Sequence, residues 1–343
     1  MAYDITNSFL EEFDYLFHPF LKQQGSALMM AVSKEPVMGG VKYIRQSSVG
    51  DAHFITSSGG QTQFTQIKND KRRLEPKAFT CPILLDDVDL VMQGTPDVAM
   101  LAADAANSCG KIIDEIIIRG IGGPAYSAGG GTGTDKVKTL SGADKVTAGP
   151  IVAAYDKTQT IAWNDATLQG GTDTPIATAA GLSSSKLAKA VEKLVSAHNW
   201  GPIVCVCSPY AAMTLRADPR VANTNFNTQP SLATGLNTPY GGISAFVECT
   251  QMDSGKSKAK ADGTYGGADG KNVEYAYVYA INQIKLGVSK ELELKQGTVA
   301  ERYFNQGLMY WGMYDCARMF EEAVVRIEIN RDLADVTAES FVK

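Results

Sequence analysis

The longest run of helix-like patterning lies between residues 95 and 119. Its apolar positions recur every three or four residues and line one helical face: Val98, Leu101, Ala102, Ala105, Cys109, Ile112, Ile113, Ile116 and Ile117. Thr95 and Pro96 suit the first turn, and the glycine-rich stretch after Arg119 suits the end. Five charged residues are predicted to lie on the other faces: Asp104, Lys111, Asp114, Glu115 and Arg119. We therefore predict one long helix with a buried side.

The N-terminal segment also carries apolar residues at helical spacing, within an amphipathic stretch over residues 5–32. They are Ile5, Phe9, Phe13, Leu16, Phe17, Phe20 and Leu21. Pro19 is expected to kink or divide this helix. So many large apolar side chains on a terminal arm need to be covered. The cover is either this chain's own core or a neighbouring subunit.

From Gly39 to Asp70 the pattern changes to alternation, which indicates strands. A polar tip with turn residues lies at 57–60, so the segment is predicted to form a long β-hairpin. Few of its side chains are strongly apolar, and a two-stranded ribbon is barely stable alone. We expect the hairpin to lie across a partner.

The second half of the chain mixes helical and strand patterns. Helices are predicted at 183–198 and 209–216. Strands are predicted at 151–155, 160–163, 202–207, 243–249, 273–281, 284–293, 304–314 and 323–330. Segments 126–180 and 253–272 are rich in small or polar residues and are interpreted as insertions. The predicted fold class is α+β.

Composition and charge limit the classes of function that the chain can have. The chain has 343 residues, a net charge of −5 and a pI near 5.4. This balance argues against a dedicated nucleic-acid-binding domain, which is normally basic. The sequence shows neither a secretory signal nor an apolar run long enough to cross a membrane. We expect a protein of about two domains that folds in the cytoplasm without a membrane partner.

The residues that usually carry chemistry form no recognisable motif. There are three histidines and six cysteines, without GxSxG, HExxH or CxxC spacing. The glycine-rich segment 128–136 lacks the Gly-Lys-Ser/Thr ending of a phosphate-binding loop. The cysteines are interpreted as buried reduced thiols, with a metal site as the alternative. We predict no catalytic residue, cofactor or metal, and an enzyme whose active site is assembled from distant segments remains the rival hypothesis.

A basic cluster, 68–73, is followed by acidic residues at 86–89. Such charges either pair across a subunit boundary, where they fix register, or form a solvated stretch. Contact with DNA is the weakest of the three interpretations, because no aromatic residues interleave to stack bases.

The order of these elements resembles that of tailed-bacteriophage major capsid proteins with the Hong Kong 97-like fold. The segment 69–76, Asn-Asp-Lys-Arg-Arg-Leu-Glu-Pro, is similar to that family's junction between hairpin and spine helix. So are the spine helix around 102–116 and the segments 204–209 and 218–221, Val-Cys-Val-Cys-Ser-Pro and Asp-Pro-Arg-Val.

The resemblance implies a domain plan. Residues 1–38 would be the N-terminal arm and 39–80 the extended loop. Residues 81–180 would form a peripheral domain with the spine helix, and 181–320 an axial domain with a central mixed sheet. Residues 321–343 would return as the last peripheral strand and a C-terminal tail.

The resemblance also implies partners. They would be many copies of the same chain in hexamers and pentamers, separate scaffolding and portal proteins, decoration proteins in some lineages, and packaged DNA held without specific binding. The location would be the virion, after assembly in the host bacterial cytoplasm. Intersubunit contacts are expected at Phe9, Phe13, Phe17, Phe54, Lys68, Lys71, Arg72, Arg73, Asp86 and Asp87.

Two points stay open in this resemblance. An encapsulin-type nanocompartment shell protein shares the fold and is the structural alternative. Some family members also join subunits through a lysine–asparagine bond, for which Lys42, Lys68 and Asn330 are the residues available here.

Overall fold

The computed structural model describes eleven segments of the chain: 25–47, 69–85, 98–123, 125–127, 151–153, 157–162, 181–197, 201–216, 241–252, 273–299 and 305–330. Within them are three α-helices: α1 (Val98–Gly122), α2 (Ser184–Ser196) and α3 (Pro209–Arg216). Thirteen strands complete the described structure. They are β1 (Ser33–Pro36), β2 (Lys42–Ser47), β3 (Asn69–Leu74), β4 (Lys77–Leu85), β5 (Ala125–Ser127), β6 (Ile151–Ala153), β7 (Thr160–Ile161), β8 (Ile203–Cys207), β9 (Ala245–Glu248), β10 (Val273–Ala280), β11 (Ile284–Val299), β12 (Asn305–Arg318) and β13 (Val324–Asn330).

The first sheet is built on two long antiparallel strands, β11 and β12. Its order is β1-β11-β12-β4, with β1 parallel to β11 and β4 antiparallel to β12. Helix α1 packs on β12, and residues of both elements share one large apolar core. The apolar stripe predicted from the sequence therefore faces this sheet.

The second sheet has five strands in the order β7-β13-β10-β8-β9. All five residues of β8 are buried, because both faces of this strand are covered. Cys205 and Cys207 point into a second core formed with α2 and α3, whereas Val204 and Val206 point into the core under α1. The two thiols therefore share one face of the strand.

The third sheet contains the base of the hairpin. Strands β2 and β3 are antiparallel, from Lys42 opposite Leu74 to Ser47 opposite Asn69. The second strand therefore continues beyond Asp70, where the predicted alternation ended. Strand β3 also pairs with β5, and β5 with β6. The predicted tip at 57–60 lies outside the described residues.

Helix α1 extends three residues beyond its predicted end. Gly120 lies against the backbone of Cys316, and Gly122 lies against the Tyr277 ring, so a side chain at either position would collide. These glycines are therefore required for close approach between helix and strands. The first turn predicted at 95–97 lies outside the described residues.

The strand pairing joins segments that lie far apart in the chain. Strand β13 pairs with β10 and β7 in the five-stranded sheet. Strands β11 and β12 pair with β1 and β4 under α1. Local patterning reveals which residues form strands, but partners far apart in the chain are chosen by tertiary packing.

A charge on the buried face of α1 is expected to prevent folding. Ile113 is fully buried, so Ile113→Asp places a carboxylate in the core at a cost of several kcal/mol. Met100 lies on the same helix with 64% of its surface exposed, and Met100→Asp is the matched control. We expect the Ile113→Asp chain to be insoluble or unfolded by circular dichroism, and the Met100→Asp chain to be soluble with an unchanged melting temperature. A normal melt for both would refute the packing of α1.

Candidate assembly site at the base of the hairpin

Glu321 joins two arginines from different parts of the fold. It lies in the short turn Glu321–Ala323, which leads from β12 into β13. Its Oε1 accepts a hydrogen bond of 2.8 Å from Arg72 Nη2, and its Oε2 accepts one of 2.6 Å from Arg318 Nε. Arg72 belongs to the hairpin strand β3, so this carboxylate ties the hairpin to the first sheet. We call these three residues the hairpin-base cluster.

Arg318 also holds the end of α1. Its guanidinium is fully buried, and Nη1 donates to the carbonyl oxygens of Ile121 (3.2 Å) and Gly123. The last carbonyls of a helix have no partner inside the helix and carry its negative dipole end. The buried Arg318 cation donates hydrogen bonds to these carbonyl oxygens and offsets the negative end of the helix dipole. Arg318 therefore holds the end of α1 at a defined position on β12.

Arg72 is buried inside its own subunit, with 5% of its surface exposed. Besides Glu321, it donates from Nε to the Met319 carbonyl oxygen at 3.0 Å. Within the chain Arg72 is held by its own subunit, and its contact with a neighbour stays a prediction. A glutamate almost 250 positions away could not be inferred as its partner from the sequence, because that pairing depends on the sheet topology.

The two residues next to Arg72 in β3 are less buried than Arg72. Arg73 pairs with Glu75 at 2.8 Å and is half-buried, whereas Lys71 is exposed. The remaining expected contacts lie outside the described residues: Phe9, Phe13, Phe17, Phe54, Lys68, Asp86 and Asp87.

A second junction holds the start of the described chain against α1. Asp114 accepts hydrogen bonds from Ser26 Oγ (2.6 Å), Leu28 N (3.0 Å) and Ala27 N (3.1 Å). Gly25 packs directly on Gly110, one helical turn earlier, where a side chain would collide with its backbone. We call this the arm latch.

Asp114 was expected on a polar face, but only 4% of its surface is exposed. Burial raises the pKa of its carboxyl group, and the hydrogen bonds from Ser26, Leu28 and Ala27 oppose that shift. The sequence does hold a relevant signal, since Gly110 and Asp114 are four residues apart and share a face. Their role could not be inferred without knowing that residues 25–28 cross there.

Removing the latch is expected to loosen the chain before β1. Asp114→Ala leaves the buried Leu28 N–H without its acceptor, which costs roughly 1–3 kcal/mol. Burial raises the pKa of the Asp114 carboxyl group in the folded chain. Asp114 therefore stabilises the folded state most at pH values below the usual pKa of aspartate. Its contribution to the free energy of unfolding falls as the pH rises through the raised pKa. The difference from wild type should therefore shrink with rising pH.

Chemical unfolding at several pH values and limited proteolysis near residue 25 would measure both effects. Asp104→Ala, at an exposed position of the same helix, is the control and should change neither. Equal behaviour of the two variants would show that the latch contributes nothing to stability.

The six cysteines differ in burial and in the direction in which their pKa is shifted. Five of the six are buried and Cys81 is partly buried. Burial raises the pKa of Cys249 to about 12 and that of Cys316 further, which disfavours the reactive thiolate. A hydrogen bond from Cys109 lowers the pKa of Cys81 to about 7.

The described segments contain neither a candidate metal centre nor a candidate membrane-spanning helix. No group of three or more histidine, cysteine, aspartate or glutamate side chains there could hold a metal ion. No helix in that part of the chain is long and apolar enough to cross a membrane.

Solved structures with a similar fold come from virus capsids and related particles. A capsid of cyanophage Pam1 matches with a TM-score of 0.61 and 10% identity, over 89% of this chain and 92% of that one. The capsid of cyanophage P-SCSP1u matches with a TM-score of 0.57 and 14% identity, over 87% and 86%. A virus-like particle from Pyrococcus furiosus matches with a TM-score of 0.51 and 11% identity, over 92% and 98%.

These likenesses confirm the predicted α+β fold of the Hong Kong 97-like type. No curated protein sequence matches the chain. A family model described as phage capsid protein does match, and it spans residues 5–330. That match includes both junctions, all three sheets and the segments between them, so the chain belongs to the phage capsid protein family.

Proposed function

We propose that this chain is the major capsid protein of a tailed bacteriophage. Many copies would close into the icosahedral head shell that encloses double-stranded DNA. The family match over residues 5–330 is the observation that carries the proposal. The role is structural, and neither catalysis nor a cofactor is required for it.

The hairpin base supports this role in physical terms. Strands β2 and β3 pair antiparallel, and Arg72 anchors β3 to Glu321 and to the Met319 carbonyl oxygen. A ribbon of two strands needs a surface to lie on. In a shell that surface belongs to the next subunit, and a rigid base sets the direction in which the ribbon reaches it.

The domain names of this fold family can be assigned to the observed sheets. The peripheral domain would comprise α1 and the sheet β1-β11-β12-β4. The axial domain would comprise the five-stranded sheet with α2 and α3. The hairpin that starts with β2 and β3 would be the extended loop.

The partners follow from this role. Copies of the chain would form hexamers and pentamers, with contacts at Phe54, Lys68, Lys71, Asp86 and Asp87. Separate scaffolding and portal proteins would direct assembly in the host cytoplasm, and decoration proteins could bind outside. The acidic balance of the chain suits a shell that packs DNA without gripping it.

A nanocompartment shell is the second candidate. The specific observation in its favour is the fold likeness to the virus-like particle from Pyrococcus furiosus. The family match favours the phage role instead. Genes for portal, terminase and tail next to this gene would support the phage capsid, and a gene for a cargo enzyme would support the nanocompartment.

Self-association of the purified chain tests the shell function. Sedimentation velocity over a range of concentrations should reveal large closed particles, or the rings and tubes of incomplete assembly. A single monomeric species at every concentration and salt level would overturn the proposal.

A further inference from the structure

Two cysteines face each other between α1 and the first sheet. Strand β4 alternates between exposed residues, such as Thr80 and Pro82, and residues that pack against the core under α1, of which Cys81 is one. Cys109 lies on the buried face of α1 and belongs to the same core. The alternation of the strand and the period of the helix therefore direct both thiols to one interface.

The two thiols are also in direct contact. The Cys109 S–H donates a hydrogen bond to the Cys81 sulfur, which accepts a second one from the Ser108 side chain. A disulfide bond holds its two sulfur atoms at about 2.05 Å. Since the strand and the helix already place the sulfurs side by side, only the two side chains need to approach each other. The bond would close a loop over residues 81–109.

The two cysteines differ in their access to solvent and in their acidity. Cys81 is partly exposed, whereas Cys109 is fully buried. The hydrogen bond from Cys109 lowers the pKa of Cys81 to about 7, so much of this thiol is the reactive thiolate at neutral pH. The same hydrogen bond and burial raise the pKa of Cys109. Cys81 is therefore the thiol that meets a reagent first.

We infer that Cys81 and Cys109 form a reversible disulfide that fastens α1 to β4 when the chain meets a low-molecular-weight disulfide such as oxidised glutathione. The Cys81 thiol gives its proton to solvent, and its sulfur attacks one sulfur of the glutathione disulfide. The first glutathione leaves as a thiolate and takes up a proton. Cys109 then loses its proton, and its sulfur attacks the Cys81 sulfur and displaces the second glutathione. Two protein thiols lose two electrons, and one glutathione disulfide becomes two glutathione thiols.

The other four cysteines lack this combination of contact and access. Cys205 and Cys207 also share a hydrogen bond, but both are fully buried in the second core. Cys249 lies against the Asp114 carboxylate, and Cys316 is buried in the core under α1. A reagent in solution does not reach these thiols in the folded chain. We expect them to stay reduced, and the Cys205–Cys207 pair is an internal control.

The compartment decides which form of the pair is present. The glutathione pool of a cytoplasm keeps exposed thiols reduced, whereas disulfides persist outside the cell. On the proposed shell function, on which this consequence alone rests, each subunit would assemble with two thiols and gain the bond after the particle is released. The bond would then oppose any separation of α1 from β4.

Peptide mass spectrometry of the full-length chain tests the inference. The reduced chain is equilibrated with reduced and oxidised glutathione at several ratios, and the remaining thiols are alkylated in denaturant. Both cysteines lie in one tryptic peptide, residues 78–111. We expect this peptide to lose both alkyl groups as the share of oxidised glutathione rises, and to regain them after treatment with dithiothreitol. Cleavage at the aspartates between the two cysteines should leave pieces that the disulfide still joins.

Single substitutions separate the roles of the two thiols. Cys109→Ala should trap Cys81 as a mixed disulfide with glutathione, whereas Cys81→Ala should leave Cys109 without glutathione. Oxidation should raise the melting temperature of the parent chain by about 5 °C, because the closed loop restricts the unfolded chain. This rise should vanish in both variants and persist in the control Cys205→Ala.

Three results with the parent chain would each overturn the inference. They are full alkylation of peptide 78–111 in oxidised glutathione alone, a lasting mixed disulfide at Cys81, and disulfide-linked dimers on a non-reducing gel in place of a bond within one chain. None of these results bears on particle formation. A chain that forms the bond but no particles would overturn the proposed function and leave the disulfide site in place.

Discussion

Replacing Arg318 with alanine is expected to lower the free energy of unfolding by about 3–5 kcal/mol, the usual cost of breaking a buried ion pair. The guanidinium is fully buried and neutralises part of the negative charge of Glu321. It also binds the carbonyl oxygens of Ile121 and Gly123 at the end of α1. Without it, the partly buried Glu321 carboxylate loses one of its two cations, and both carbonyl oxygens lose the Arg318 donor.

Arg119→Ala is the matched control for this prediction. Arg119 lies on α1, the helix whose end Arg318 binds. Its side chain is 71% exposed and forms an ion pair with Glu115, four residues earlier. Exposed pairs of this spacing contribute only about 0.3–0.5 kcal/mol. Chemical denaturation of both variants measures the difference. If the two substitutions lower the free energy of unfolding equally, the hairpin-base cluster does not stabilise the subunit.

Shortening the hairpin is expected to abolish assembly while the subunit still folds. Ser47 and Asn69 are paired directly opposite each other, so an Asn-Gly turn in place of residues 48–68 closes the two strands without changing their register. The replaced segment holds few strongly apolar residues, so the cores lose little. The variant should melt cooperatively by circular dichroism and form no closed particles.

Removal of residues 253–272, replaced by a short glycine-serine linker, is the control of similar length. That segment is interpreted from its composition as an exposed insertion, and its loss should leave particle formation intact. Unfolding of the hairpin variant would mean that the ribbon belongs to the subunit core. Normal particles from the hairpin variant would mean that the ribbon is not an intersubunit contact.

The sequence predicted best the elements whose signal is local. The period of the apolar residues in 98–117 revealed α1, and Ser183 begins α2 as its cap, accepting a hydrogen bond from the Lys186 backbone. Alternation revealed the first strand of the hairpin base, Lys42–Ser47. In each of these cases, neighbouring residues carry the whole pattern.

Interactions between distant segments were not predicted. Asp114 was placed on a polar face because its sequence neighbours do not show that the chain before β1 crosses the helix there. Arg318 and Glu321 are three residues apart, which is a visible spacing, but the partners that give them their role lie on β3 and at the end of α1. The pairing of β12 with β4 and of β13 with β7 has the same origin, because strand partners are decided by packing between distant segments.

Electron microscopy of the purified chain is the decisive test of the shell function. We expect closed particles built from this chain alone or with a scaffolding protein. In a reconstruction, each hairpin would extend from its β2–β3 base onto a neighbouring subunit. A compact monomer under all conditions, with the hairpin folded back on its own body, would contradict it.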